Sequence, residues 1–177
     1  KLAYSTSWGT STRMIGALIM AHGDQRGLVL PPVVAPVQAV VIPIAYSKGG
    51  VMERAEELTA QLKAAGVRVE LDTRDNSPGW KFNEWEMKGV PVRIELGPKD
   101  IENGVVTLVR RDTLEKFTLP IGEVAERIPA LLSEIQKHML EKSRAFRDSR
   151  VKTVENFEQF KDAIESGNFA RAGWCGC

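Results

Sequence analysis

The sequence predicts an α/β fold, a mixed β-sheet flanked by helices, and three observations carry that prediction. From Gln38 onward, strand-like and helix-like patterns alternate, the order expected of parallel strands joined by crossover helices. The run Ala39-Val40-Val41-Ile42-Pro43-Ile44-Ala45 is almost continuously apolar, which asks for a strand covered on both faces. Two later alternating strands follow one another across a turn signal and add an antiparallel hairpin. Together they describe one domain of about 110 residues.

Taken in order, residues 4–8 are short and β-compatible. Gly9-Thr10-Ser11-Thr12 supplies capping residues for a helix over 13–21, where Met14, Ile15, Leu18 and Ile19 form a stripe. Gly23 closes that helix. Leu28-Val29-Leu30 reads as a short strand stopped by Pro31-Pro32, and 33–36 as a connector. After the buried strand, Ala55, Leu58, Leu62 and Ala65 mark a helix over 52–65 that ends at Gly66. Val67, Val69 and Leu71 alternate with Arg68, Glu70 and Asp72 as a half-buried strand. Asp75 to Gly79 is a turn, 80–88 a short helix and 92–96 a strand. Asn103-Gly104 turns the chain into strands over 105–110 and 116–119. A long amphipathic helix is expected over 122–146, with Pro129 marking its true first turn. A second amphipathic helix over 154–166 and a strand over 168–174 finish the chain.

The length of 177 residues is enough for one domain, or a domain and a piece. Apolar residues at 43% and charged residues at 27% are globular values, which excludes a disordered or fibrous chain. No uncharged apolar run reaches the roughly 18 residues of a membrane helix. The start, Lys1-Leu2-Ala3-Tyr4-Ser5, has neither an initiator Met nor the flank of a signal peptide, so the chain reads as cut at its front. Lys and Arg number 24 against 23 Asp and Glu, a net charge of +1, and no segment is polybasic. Bulk charge therefore announces no nucleic-acid partner, and any such specificity has to reside in a few residues. Both cysteines, Cys175 and Cys177, lie in the last three residues. One intervening residue makes a disulfide awkward, so a cytoplasmic context is expected, with the pair either half of a metal site or two incidental thiols.

Arg13 stands at the start of its helix behind hydroxyl residues. Free N–H groups, the helix dipole and a guanidinium suit an anion there, although an ordinary capped helix with a surface Arg is the commoner arrangement. The spacing is not that of a P-loop. His22 and His138 are the only histidines. His22 beside Asp24 is either an acid–base pair or a structural turn. The segment Trp80-Lys81-Phe82-Asn83-Glu84-Trp85-Glu86-Met87-Lys88 combines aromatics, cations and carboxylates. With Arg93 and Lys99 it can form a surface on which bases stack, phosphates are held and base amino groups are accepted. Alternatively, Phe82 and Trp85 are core and the charges are solvated.

Several of these runs together resemble a specific family. Ser7-Trp8-Gly9-Thr10-Ser11-Thr12-Arg13, His22-Gly23-Asp24 and Gly27-Leu28-Val29-Leu30-Pro31-Pro32 are similar to motif 3 and its exit in prolyl-tRNA synthetase, a class II aminoacyl-tRNA synthetase, of the archaeal/eukaryotic type. The similarity continues through Ser77-Pro78-Gly79-Trp80-Lys81-Phe82-Asn83-Glu84-Trp85-Glu86, Glu95-Leu96-Gly97-Pro98-Lys99-Asp100 and Arg110-Arg111-Asp112 to Trp174-Cys175-Gly176.

The resemblance implies three parts: the end of the catalytic domain over 1–36, an anticodon-binding domain over 37–148, and the start of a small α/β zinc-binding domain over 149–177. It implies that Arg13 is catalytic and contacts the ATP triphosphate, with Ser11 at the nucleotide and Trp8 and Gly9 lining the substrate pocket. It assigns Glu86, Arg93 and Lys99 to the anticodon guanines of tRNA(Pro), and Cys175 and Cys177 to two of four Zn2+ ligands. Proline and ATP with Mg2+ would be the substrates of the intact cytoplasmic homodimer. The upstream motifs 1 and 2 are absent here, so this portion alone is expected to be inactive. The alternative is a non-enzymatic tRNA-binding or subunit-interaction module on the same domain, and a third class is a small ligand-binding domain unrelated to RNA.

Overall fold

The computed structural model describes residues 3–45 and 50–174. Helix α1 (Arg13–His22) comes first, followed by β1 (Ala39–Pro43), α2 (Val51–Ala64), β2 (Val69–Leu71), α3 (Pro78–Met87), β3 (Val92–Leu96), α4 (Pro98–Glu102), β4 (Val105–Arg110) and β5 (Lys116–Pro120). A single 3-10 turn, Ile121–Glu123, leads into α5 (Val124–Ser149), then β6 (Val151–Thr153), α6 (Phe157–Glu165) and β7 (Phe169–Arg171). The chain divides into two compact units, residues 1–137 and 138–177.

The first unit is built on a five-stranded sheet in the order β2-β1-β3-β4-β5. β1 pairs in parallel with β2 and β3, while β4 and β5 run antiparallel. This is the mixed sheet the alternation predicts. β1 lies between β2 and β3, and all five of its residues are buried. Right-handed crossovers that step first one way and then the other across β1 put α2 and α3 on opposite faces of the sheet. Val40 and Ile42 accordingly pack with Trp85 and Val90, with Val37 and Phe82 at the edge of the cluster. β5, the outer strand, alternates exposed and half-buried residues.

Several elements depart from expectation. No strand forms over 4–8, since a strand needs a hydrogen-bonded neighbour and none of the described residues supplies one. Residues 28–30 are not a strand either. Their N–H groups are used at the end of α3, Leu28 donating to the Met87 carbonyl at 3.0 Å and Leu30 to Gly89 at 3.2 Å. Pro129 does not open α5 but sits inside it. Burial of Val124, Ile128 and Leu131 sustains the helix across the missing N–H. Asp72 was expected on the polar face of its strand and is instead fully buried.

The contact between residues 27–30 and the end of α3 depends on glycine at two places. Gly27 has φ +128, and a Cβ there would stand 2.6 Å from Met87 Cα. Gly89 has φ +74, and its Cβ would meet the Leu28 backbone at 2.8 Å. In both cases the obstruction is backbone, which cannot swing aside. Gly27→Ala is therefore expected to cost about 1–3 kcal/mol, checked by urea unfolding of the purified chain.

In the second unit β6 and β7 pair in parallel with α6 as the connection between them. Asn156 caps α6, its side chain accepting from Gln159 N at 2.9 Å.

Candidate nucleic-acid interface

α3 opens at Pro78, two residues before the expected start and inside the expected turn. Ser77 accepts from Trp80 N, and Pro78 fills the first turn, where its missing N–H costs nothing. The helix then presents Lys81 and Trp85 inward, with Glu86 at its end beside β3.

The inward group is a buried polar hub. Asp72 accepts two hydrogen bonds from the Arg74 guanidinium, at 3.0 and 2.7 Å, and one from Trp85 Nε1 at 2.7 Å. Lys81 Nζ donates to the Asp72 carbonyl at 3.1 Å and lies 3.8 Å from the carboxylate. Burial pushes the Asp72 carboxyl upward, but the bonds from Arg74 and Trp85 overcome it and hold the group well below the usual carboxylate range. Arg74 also lies over the Trp80 and Trp85 rings and pairs with Glu84 at 2.7 Å. Lys81 is therefore a core ion, not a cation open to a phosphate, and Trp85 is core. Trp80 remains about half exposed.

At the outer end of α3 lies a second network. Arg93 Nη1 donates to Glu86 Oε1 at 2.9 Å, and its Nε donates to Glu95 at 3.0 Å. The guanidinium rests on the Phe82 ring at 4.4 Å, and Lys116 closes on Glu95 at 2.8 Å. Arg26 reaches Glu86 Oε2 at 3.2 Å. Burial raises the Glu86 carboxyl, and the hydrogen bonds from Arg93 and Arg26 outweigh it, so the group stays ionised below its ordinary value. Behind it, buried Arg111 donates through Nε to the Glu86 carbonyl at 2.9 Å and through both terminal nitrogens to Asp24, at 2.7 and 2.6 Å. Asp24 is thereby held down at about 2, chiefly by the Arg111 hydrogen bonds. The His22-Gly23-Asp24 turn is thus structural at its aspartate.

Of the three expected RNA contacts, Glu86 and Arg93 come together as one ion pair. Lys99 does not join them. It is exposed on α4, beyond the C-terminal end of β3, whereas Arg93 is near that strand's N-terminal end. Among the described residues its ammonium has no partner. Arg26 escapes sequence reasoning, and so does the pairing of Asp24 with Arg111, because each contact spans tens of residues. The local signals were the runs His22-Gly23-Asp24 and Arg110-Arg111, which name the two residues without joining them.

Arg13 is the first residue of α1 and is exposed. Thr12 makes no side-chain cap, and the Met14 and Ile15 N–H groups donate to the Ser11 and Thr12 carbonyls, at 3.0 Å each. Ser11 precedes it, Trp8 is almost wholly exposed, and Gly9 has open space around it. Cys175 and Cys177 lie outside the described residues. Among the described residues no group of three or more His, Cys, Asp or Glu can hold a metal ion, and no helix is long and apolar enough to cross a membrane.

Residues 38–131 match the protein-family model described as "Anticodon binding domain". A proline–tRNA ligase of Lachnospira eligens is 55% identical over 177 residues, covering 99% of this chain and 37% of that protein. Proline–tRNA ligase 2 of Clostridioides difficile is 55% identical over 175 residues, covering 98% of this chain and 36% of that protein. The crystal structure of prolyl-tRNA synthetase from Cryptosporidium parvum complexed with L-proline and AMP superposes with a TM-score of 0.88 at 43% identity. It covers 93% of this chain and 36% of that one. The chain thus spans little more than a third of the length of these relatives. The matched family region runs from β1 into α5, and the similarity in sequence and in fold extends beyond it, over 99% and 93% of the chain. The chain belongs to the anticodon binding domain family.

Proposed function

We propose that this chain is the anticodon-reading part of a proline–tRNA ligase. In the intact enzyme it serves ATP-dependent activation of proline and transfer of the prolyl group to tRNA(Pro). The observation that carries the reading is the Glu86–Arg93 pair, set on the end of α3 and the start of β3 within the matched family region. An unpaired guanine offers N1–H and N2–H donors to a carboxylate, which Arg93 holds in place, and an O6 acceptor to a guanidinium beside it. Arg93 is already fixed by Glu95 and Phe82, so little ordering remains to be done when RNA binds. Similarity over nearly the whole chain, not only over the matched domain, favours a ligase over a free-standing binding module. Lys99 is retained as a third RNA contact.

The expected result is that the intact enzyme binds tRNA with a proline anticodon more tightly than the same tRNA with its anticodon guanines replaced. Equal binding removes base reading from this surface.

Residues 1–36 are proposed as the end of a catalytic domain, with 37–148 the anticodon domain and 149–177 the start of a zinc-binding domain. Arg13 is proposed to contact the ATP phosphates, with Ser11 beside the nucleotide and Trp8 and Gly9 at the substrate pocket. An exposed guanidinium at the start of α1, where the helix dipole favours an anion, supports this. Bound Mg2+ would neutralise phosphate charge. Arg13→Ala in the intact enzyme is expected to slow ATP–pyrophosphate exchange about 100-fold, measured at saturating proline. Unchanged exchange would take Arg13 out of the site. Zn2+ at Cys175 and Cys177, a homodimer and a cytoplasmic location belong to the same proposal and rest on the resemblance.

A further inference from the structure

Glu86 carries two arginines, and they differ in kind. Arg93 is nearly buried, stacked on Phe82 and shared with Glu95. Arg26 reaches the other carboxylate oxygen, Oε2, from a side chain that is 57% exposed. A guanidinium has five N–H donors. Among the described residues, Arg26 spends them on Glu86 alone, through Nη1. Most of its fork is open to solvent, and the pair it makes is the longest in the network, at 3.2 Å. Its backbone is nevertheless held firmly. Arg26 N donates to Asp24 Oδ1 at 2.8 Å, and Asp24 is clamped by buried Arg111. The next residues are pinned against α3 by the Leu28–Met87 and Leu30–Gly89 hydrogen bonds. A wall outside the matched family region therefore holds an exposed guanidinium against the carboxylate that faces RNA.

We propose that Arg26 is a specificity-determining residue of the RNA site, donating to O6 of the same guanine whose N1–H and N2–H groups Glu86 accepts. The inference rests on the anticodon-reading proposal. The hydrogen bonds run Arg26, Glu86 Oε2, Glu86 Oε1, Arg93, so either guanidinium with the two oxygens reads donor, acceptor, acceptor. Arg93 is nearly buried and shared with Glu95, which leaves Arg26 as the open donor. The Watson–Crick edge of guanine presents O6, N1–H and N2–H in the same order, and matches it group for group. Adenine places an amino group where O6 would be and has no N2 amino group. It would meet Arg26 donor to donor, set its N1 lone pair against one Glu86 oxygen and leave the other facing C2–H. Rejection of the wrong base then comes from Arg26 as much as from Glu86. Arg93, on the Oε1 side, supports Glu86 and stays clear of O6.

The test uses the intact enzyme that carries this chain, as wild type and as Arg26→Met, with tRNA bearing a proline anticodon. One anticodon guanine at a time is replaced either by thioguanine, in which sulfur stands for O6 and both donors remain, or by inosine, which keeps O6 and loses the N2 amino group. The dissociation constant is measured for each pair. At one position, thioguanine is expected to weaken wild-type binding about tenfold and Arg26→Met binding less than twofold. Inosine at that position is expected to weaken both proteins equally, since Glu86 reads N2. Equal thioguanine losses in the two proteins would overturn the assignment. So would loss of inosine discrimination in Arg26→Met, which would mean that Arg26 only steadies Glu86. If wild type fails to distinguish proline anticodons from exchanged ones, base reading by this surface falls and the role of Arg26 with it. If wild type discriminates but the two substitutions are additive, only Arg26 falls.

Discussion

Asp72→Ala is expected to destabilise the first unit by about 3–5 kcal/mol, read as a fall in unfolding free energy in urea. The carboxylate is fully buried, and its removal strands three donors at once. Lys81 loses the charge 3.8 Å away, Trp85 loses the acceptor of its Nε1, and Arg74 loses a two-pronged partner. Asp72→Asn keeps the shape and part of the hydrogen bonding, so its cost should be smaller. The pH dependence separates charge from shape. Asp72 is held well below the usual carboxylate range in the folded protein. Its contribution is therefore fully present above the unfolded value, near pH 4, and fades as pH falls through the folded value. The stability gap between wild type and Asp72→Asn should narrow steadily below about pH 4. A gap that stays constant down to about pH 2 would mean that the charge is not what matters.

Arg93→Ala is expected to cost about 1–3 kcal/mol in binding tRNA with a proline anticodon, and to relax the preference for that anticodon. Its neighbours remain paired, Glu86 with Arg26 and Glu95 with Lys116, so the loss should appear in binding and not in folding. Arg93→Lys keeps the charge but gives up the planar fork that bridges Glu86 and Glu95 over Phe82. It should recover affinity better than it recovers selectivity. Binding of all tRNAs weakened alike by Arg93→Ala would make Arg93 a general phosphate contact and contradict base reading there.

The sheet was legible because its signals are local. Alternation in 92–96 and the apolar run at β1 are strand signals within a few residues. The short helix α3 was legible too, though it opens at Pro78, inside the expected turn, where Ser77 caps it. What failed was what depends on remote partners. Leu28-Val29-Leu30 has strand composition, but its hydrogen bonds go to the last turn of a helix that begins fifty residues later. Asp72 looked like the polar half of an alternation until Lys81 and Trp85 covered it. The five-residue α4 is too short to show a period. In the site, Glu86 and Arg93 were legible because helix, turn and strand bring residues seven apart to one edge. Lys99, six residues further on, lies on α4, beyond the far end of that strand. The Asp24–Arg111 clamp, with a separation of 87 residues, leaves no trace in either local pattern.

That clamp has a practical consequence for where the molecule can be divided. A cut at residue 36/37 follows the proposed domain border. It would also remove Asp24 and leave a guanidinium with 2% side-chain exposure looking for a counter-charge. It would uncover the Gly89 backbone at the same stroke, and take Arg26 from Glu86. The mechanical edge of the anticodon unit therefore lies upstream of residue 24. A recombinant fragment starting there should be soluble and cooperative, while one starting at 37 should be neither.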